Sequence, residues 1–165
     1  MARISIAQRI RCNHALEHAT VHILSSTGEP LALVGRSDWG GFDLYGEVAT
    51  EAVHPAVEQA LQSLRGGLSE LAIHPRCGTN IAATAVLGAG AIWGAKLIPD
   101  RSRTRRFARM LAAGLIALTL GQSFGLALQR HVTTDASVGD LSIDDIRRTK
   151  RGAMTVHRIR TRQTG

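Results

Sequence analysis

Two long apolar stretches restrict what this chain can fold into. Residues 80–98, NIAATAVLGAGAIWGAKLI, carry no charge before Lys96, and residues 107–128, FARMLAAGLIALTLGQSFGLAL, carry only Arg109. Each has the roughly 20 residues that a helix rising about 1.5 Å per residue needs to cross hydrocarbon. The polar linker PDRSRTRR between them is short. The pattern predicts a transmembrane helical hairpin; the other way to bury such runs is a pair of core helices, but two of this length are uncommon in a soluble domain of 165 residues. Small residues recur at helical spacing, Gly90 with Gly94 and then Ala113, Ala117, Gly121 and Gly125. Such faces let two helix backbones approach, so they predict the helix–helix seam or a contact with a second copy, with Gln122 and Ser123 turned to the partner helix.

The segments on either side are polar and mixed. Ala7–Ser25 spaces Ile10, Leu16, Val21 and Leu24 as a helix does. EPLALVGRS reads as a strand, DWGG as a turn and FDLYGEV as a second strand. Residues 51–65 follow a 3.6-residue period and stop at Gly66-Gly67, and SELAIHP reads as a short strand. The tail after residue 128 has β-branched residues and turn signals, predicting two or three strands with TKRG as a hairpin turn. The expected fold is α+β: a small soluble α/β domain, residues 1–79 and 129–165, interrupted by a transmembrane hairpin at 80–128.

The chemistry-bearing residues cluster in two short blocks. In CNHALEHATVHIL, His14 and His18 lie four residues apart, on one helix face, with Glu17 beside them. H-x-x-E-H is the inverted zinc-hydrolase pattern, in which two histidines hold the ion and the glutamate activates water. In HPRCGTN, His74 and Cys77 are spaced so that one tight turn can offer both to an ion, and the following helix N-terminus favours a thiolate. Together His14, His18, His74 and Cys77 form a mixed nitrogen–sulfur set suited to zinc rather than to calcium or magnesium. If a position stays open for water, Glu17 is the general base; if all four bind, Glu17 only orients an imidazole. The ordinary alternative is a polar helix stripe, to which His22 is assigned, with Cys77 as a buried hydrophobe. His54, His131 and His157 have no partner at ligand spacing, and Cys12 lies off the common face.

These blocks carry a resemblance. NHALEHATVHIL, GRSDWGGFDLYGEV, AIHPRCGTN and the two apolar runs resemble the bacterial membrane family called domain of unknown function 6391, over most of the chain. The two histidine blocks are also similar to the YqhQ family of bacterial membrane proteins, described as metal-dependent. That likeness implies a metal site at His14, Glu17, His18, His74 and Cys77. It departs after the second histidine, where YqhQ-like proteins have lysine and this chain has Ala19.

Charge speaks to location. The formal net charge is +7, which raises nucleic acid as a partner, but aromatics are only 4% and no stacking motif is present. Beside a membrane, the Lys/Arg-rich tail is expected to meet anionic headgroups, and nucleic acid is not expected. Two cysteines do not make a disulfide framework; they can bridge, stay as thiols or bind metal. No apolar core of a signal peptide is seen in MARISIAQRI. The linker arginines 101, 103, 105 and 106 favour a cytoplasmic linker, whereas Arg3, Arg9 and Arg11 with the basic tail favour cytoplasmic soluble segments. The second arrangement is expected, in the bacterial cell membrane with two passes, since it avoids exporting the long first segment. The functional expectation is an integral membrane metalloprotein, open to a zinc-dependent hydrolase; a structural metal module and a non-enzymatic membrane scaffold are the alternatives.

Overall fold

The computed structural model describes residues 4–26 and 32–164. Among them the order is α1 (Ile6–Ser25), β1 (Val34–Asp38), β2 (Gly41–Tyr45), α2 (Thr50–Arg65), a 3-10 turn (Ser69–Ala72), α3 (Gly78–Leu97), α4 (Arg103–Leu128), a π turn (Gln129–Thr133), β3 (Ser142–Arg151) and β4 (Met154–Arg162). The chain divides into two compact units, residues 1–74 with 132–165, and residues 75–131.

The first unit is an antiparallel sheet in the order β1-β2-β4-β3 with α1 and α2 packed against it. The C-terminal strand β4 enters beside β2, pairing Phe42 with Ile159 and Leu44 with His157. Phe42, Leu44, Ile159 and His157 are fully buried on that face. Gly41 marks a close approach: its φ of +138° suits glycine, and a Cβ there would meet the Ile159 carbonyl oxygen at 2.0 Å. The α1 helix starts at Ser5, whose hydroxyl accepts from the Gln8 amide at 3.1 Å. It buries Cys12, Ala15, Leu16, Ala19 and Leu24 against the core. α2 buries Val53, Ala56, Val57, Ala60, Leu61 and Leu64, the stripe of an amphipathic helix. Asn13 fixes α1 on the sheet. Its amide donates to the Asp38 carbonyl at 2.8 Å, and its side-chain oxygen accepts from the Thr161 hydroxyl at 2.7 Å.

Two expectations are corrected here, and a third is met only in part. SELAIHP is not a strand: Gly66-Gly67 ends α2, and the chain winds into the 3-10 turn, closed by Leu71 N–H to Leu68 O and Ile73 N–H to Glu70 O. The first strand is shorter than EPLALVGRS, beginning at Val34, and residues 29–31 lie outside the described part. In the second unit, one helix rather than two is long and apolar enough to cross a membrane. It runs from Arg103 to Thr133, with a mean hydropathy of 1.7 in its most apolar window. α3 has the length, but Gly, Ala and Thr fill most of its turns and Asn80 and Lys96 dilute its ends.

Within the second unit α3 and α4 run antiparallel. A Cβ at Gly125 would meet Asn80, one at Gly121 would meet Thr84, and one at Gly114 would meet Ile92. The buried positions of α4 are Gly114, Ala117, Gly121 and Gly125, so the expected ladder holds from Ala117 onward, with Gly114 in place of Ala113. Gly90 and Gly94 are not at this seam, and nothing lies within 4 Å of a Cβ built on either. Arg109 closes the far end, donating to the Ala95 and Ile98 carbonyls at 3.1 and 2.7 Å, where a cation also complements the helix dipole.

Candidate metal centre

The histidines of α1 all project toward one side of the helix because they are spaced by four residues. His14 and His18 come together with ring centroids 4.3 Å apart at an interplanar angle of 62°. His74, at the end of the first unit, brings its ring 5.8 Å from His18 and 4.9 Å from His22. Two imidazoles bound to one tetrahedral ion at about 2.0–2.1 Å place their centroids roughly 5 Å apart, so each spacing is that of rings able to share an ion.

The 3-10 turn sets the orientation of two rings. By turning the backbone at Ser69–Ala72, it presents successive carbonyls to α1. His18 Nδ1 meets the Ala72 oxygen at 2.7 Å, and His22 Nε2 meets the Ile73 oxygen at 2.9 Å. His14 Nδ1 meets the Thr133 oxygen at 3.0 Å. A carbonyl only accepts, so the nitrogen facing it carries the proton. In their neutral form His14 and His18 therefore hold their lone pairs on Nε2, and His22 on Nδ1. A backbone carbonyl on the second ring nitrogen is the usual way that proteins fix a metal-binding imidazole. Each such bond contributes about 0.5–1.5 kcal/mol net. His18 is 3% exposed, and its Nε2 is buried with no hydrogen-bond partner among the described residues. A buried nitrogen left unsatisfied costs about 1–3 kcal/mol, which a bound ion would remove.

Glu17 is also buried but faces the sheet. Its Oε2 accepts from the Ser37 hydroxyl at 2.5 Å. The carboxyl group lies over Gly35, where a Cβ would come 2.0 Å from Oε1. Cys77 is the residue before α3 in the second unit, three positions along the chain from His74. Of the expected ligands in the first unit, His14 and His18 lie side by side, and His74 reaches the ring of His18. Sequence reasoning set His22 aside, although the signal was its continued four-residue spacing; the structure puts it against His74.

A second polar cluster lies on the other face of the sheet. Arg158 donates twice to Asp38, at 2.8 Å each, and reaches Asp43 at 3.4 Å. This guanidinium holds the Asp38 carboxyl below its ordinary range, and the carboxylate in turn raises Arg158. Arg151 donates to the Tyr45 hydroxyl at 2.6 Å and lies 3.5 Å from Asp43. Every charge here has an opposite partner, so the cluster reads as a clasp across the four strands, with Asp38 from β1, Asp43 from β2, Arg151 from β3 and Arg158 from β4. Cys12 is fully buried, and burial, reinforced by Asp135, pushes its thiol up to about 11, unlike a metal-binding thiolate.

The comparisons agree with the motif blocks. The family described as "Domain of unknown function (DUF6391)" matches residues 9–146, which include α1 from Arg9 onward, the 3-10 turn and both helices of the second unit. An uncharacterized protein of Picosynechococcus sp. is 40% identical over 147 residues, covering 83% of this chain and 71% of the relative. No solved structure matches the chain. On both counts, the chain belongs to the DUF6391 family.

Proposed function

We propose that this chain is an integral membrane metalloprotein whose first unit holds a zinc ion between His14 and His18, with His74 and Cys77 as further ligands. The observation that carries the reading is His18: buried, fixed by the Ala72 carbonyl, and with an unpartnered Nε2. His14 lies beside it, its Nδ1 likewise fixed by a backbone carbonyl. Two residues separate His74 from Cys77, so an ion bound by one is within reach of the other. Zinc accepts this nitrogen–sulfur mixture without redox chemistry. A distant kinship with YqhQ-like proteins, resting on the same two blocks, belongs to this reading.

Membrane insertion is supported by the second unit. Phe107, Leu111, Leu115, Ile116, Leu118 and Leu120 of α4 are all exposed, as are Ile81, Val86 and Trp93 of α3. That much apolar surface on a helical pair needs an apolar surrounding. We take both helices as spans in the bacterial membrane, with the soluble segments cytoplasmic. The exposed basic run at Arg147, Arg148, Lys150 and Arg151 then meets anionic headgroups, and Gly90 and Gly94 offer a face to a second copy.

Between a structural and a hydrolytic ion, the placement of Glu17 favours the structural one, because its carboxyl is buried over Gly35 on the sheet side of α1 and bonded to Ser37. Metal content of the full chain, purified in detergent and washed with a weak chelator, tests the proposal. Wild type should retain zinc, and His14→Ala, His18→Ala, His74→Ala and Cys77→Ala should each lower it. Equal metal in all five would sink it. Glu17→Gln should keep the ion, and loss of metal in that variant would remove Glu17 from consideration as a base.

A further inference from the structure

The histidine row does not end at the proposed ligands. His22 continues it by one helical turn, and His74 lies closer to His22 than to His18, at 4.9 Å against 5.8 Å between ring centroids. His22 is fixed as His18 is, by a carbonyl of the same turn. Its partner is the next residue, Ile73, so the opposite ring nitrogen is used and the lone pair falls on Nδ1. His22 and His74 are both half-buried, whereas His18 is closed off. An ion between His22 and His74 would have water within reach to complete its coordination. With two imidazoles and water it would be held more weakly than one between His14 and His18.

We propose that His22 and His74 form a second, weaker ion position next to the first, and that His74 serves either position. With one ion bound, His74 joins His14 and His18; with two, it turns to His22 and leaves the inner ion a coordination place open to water. The inference rests on the metal reading above, but it can fail alone.

The test uses the full chain in detergent, stripped with chelator and titrated with cobalt(II), whose visible absorption reports its ligands. Equilibrium dialysis gives the stoichiometry. Wild type should bind two equivalents, one tightly and one weakly. His22→Gln, which keeps a side-chain N–H for Ile73, should abolish the second equivalent and leave the first in place. His22→Cys, which restores a ligand, should recover the second equivalent and add a thiolate-to-cobalt absorption band. One equivalent in wild type overturns the second position and leaves the first standing, while none overturns both. Two equivalents unchanged by His22→Gln would put the second ion elsewhere. Loss of both, with unchanged circular dichroism, would make His22 a ligand of a single site. Either result ends the two-position proposal.

Discussion

Gly35→Ala is a sharp probe of how α1 sits on the sheet. A Cβ at this position would lie 2.0 Å from Glu17 Oε1, 2.2 Å from Cδ and 2.6 Å from Cγ. The backbone itself permits alanine, since the φ of Gly35 is not positive. The entire cost therefore falls on Glu17, which is 5% exposed and fastened to Ser37. Two outcomes compete. If the carboxyl stays, overpacking costs about 1–3 kcal/mol. If it swings away, a hydrogen bond to a charged group worth about 1.5–3 kcal/mol is lost. These are alternatives and do not add. Replacing glycine stiffens the unfolded chain and returns about 0.4–1 kcal/mol. The net expectation is about 1–2 kcal/mol of destabilisation, read by denaturant unfolding of the full chain in detergent at fixed metal content. In a Glu17→Ala background the space is empty, and Gly35→Ala should become neutral or stabilising. The double-mutant cycle should then show a coupling of about 1 kcal/mol or more, beyond the few tenths expected of independent sites. Additive effects, or a Gly35→Ala protein as stable as wild type, would refute the packing of Glu17 over β1.

Gly121→Leu should lower the thermal midpoint of the helical signal by several degrees, because a Cβ there meets Thr84 Cγ2, Cα and Oγ1 at 2.8–2.9 Å; Gly94→Leu, with nothing within 4 Å, should leave it unchanged in detergent. Equal effects of the two would mean that a different face of α3 meets α4. For His157, burial first and the nearby Arg148 second hold the imidazole pKa below its ordinary value, against the opposing pull of Glu47 and Glu51. The unfolded chain takes up this proton near pH 6.5 and the native one only at lower pH, so the unfolded state binds more protons in that window. Stability should fall as pH drops from about 7 through 6.5, by no more than about 1.4 kcal/mol per pH unit for this one group. His157→Gln should flatten the slope and can still meet the Thr50 hydroxyl that lies 3.0 Å from Nε2. An unaltered slope in that variant would assign the dependence to other groups.

The parts legible in the sequence are those whose partners are close along the chain. The apolar period of 51–65 and its Gly-Gly stop place α2 within one residue, whereas the hairpin turn falls later than TKRG, at Gly152 and Ala153, and Thr149, Lys150 and Arg151 are paired in β3. The failures come where the partner is remote. Residues 69–75 have strand composition, but the Ala72 and Ile73 carbonyls are taken by His18 and His22, about fifty residues earlier, and the backbone turns to deliver them. The seam of α3 could not be read from small residues, because glycine and alanine occur on all sides of that helix. The facing set is chosen by what α4 presents, namely Gly121 opposite Thr84 and Gly125 opposite Asn80. The histidine pair at helical spacing was visible. The carbonyls that decide which nitrogen each ring offers were not, since they depend on the path of the 3-10 turn and on Thr133, far away in sequence.

That path also bears on what an ion would do for the first unit. Its chain leaves at His74 and returns at Val132, and β4, which completes the sheet next to β2, comes only after the return. The three carbonyls that orient the α1 histidines lie on both sides of this interruption, Ala72 and Ile73 before it and Thr133 after it. The histidine row is thus where the outgoing and returning segments are both fastened to α1. An ion that binds this arrangement and not the unfolded chain stabilises it by about 4 kcal/mol at a free concentration a thousand times its Kd. It acts at the place where the long intervening helical pair makes closure entropically costly, although that cost grows only slowly with length. Three hydrogen bonds of about 1 kcal/mol each are a modest tether for such a closure, and one ion at least doubles it. A structural ion would suit imidazoles fastened to both the outgoing and the returning segment, and it would require no reaction of Glu17.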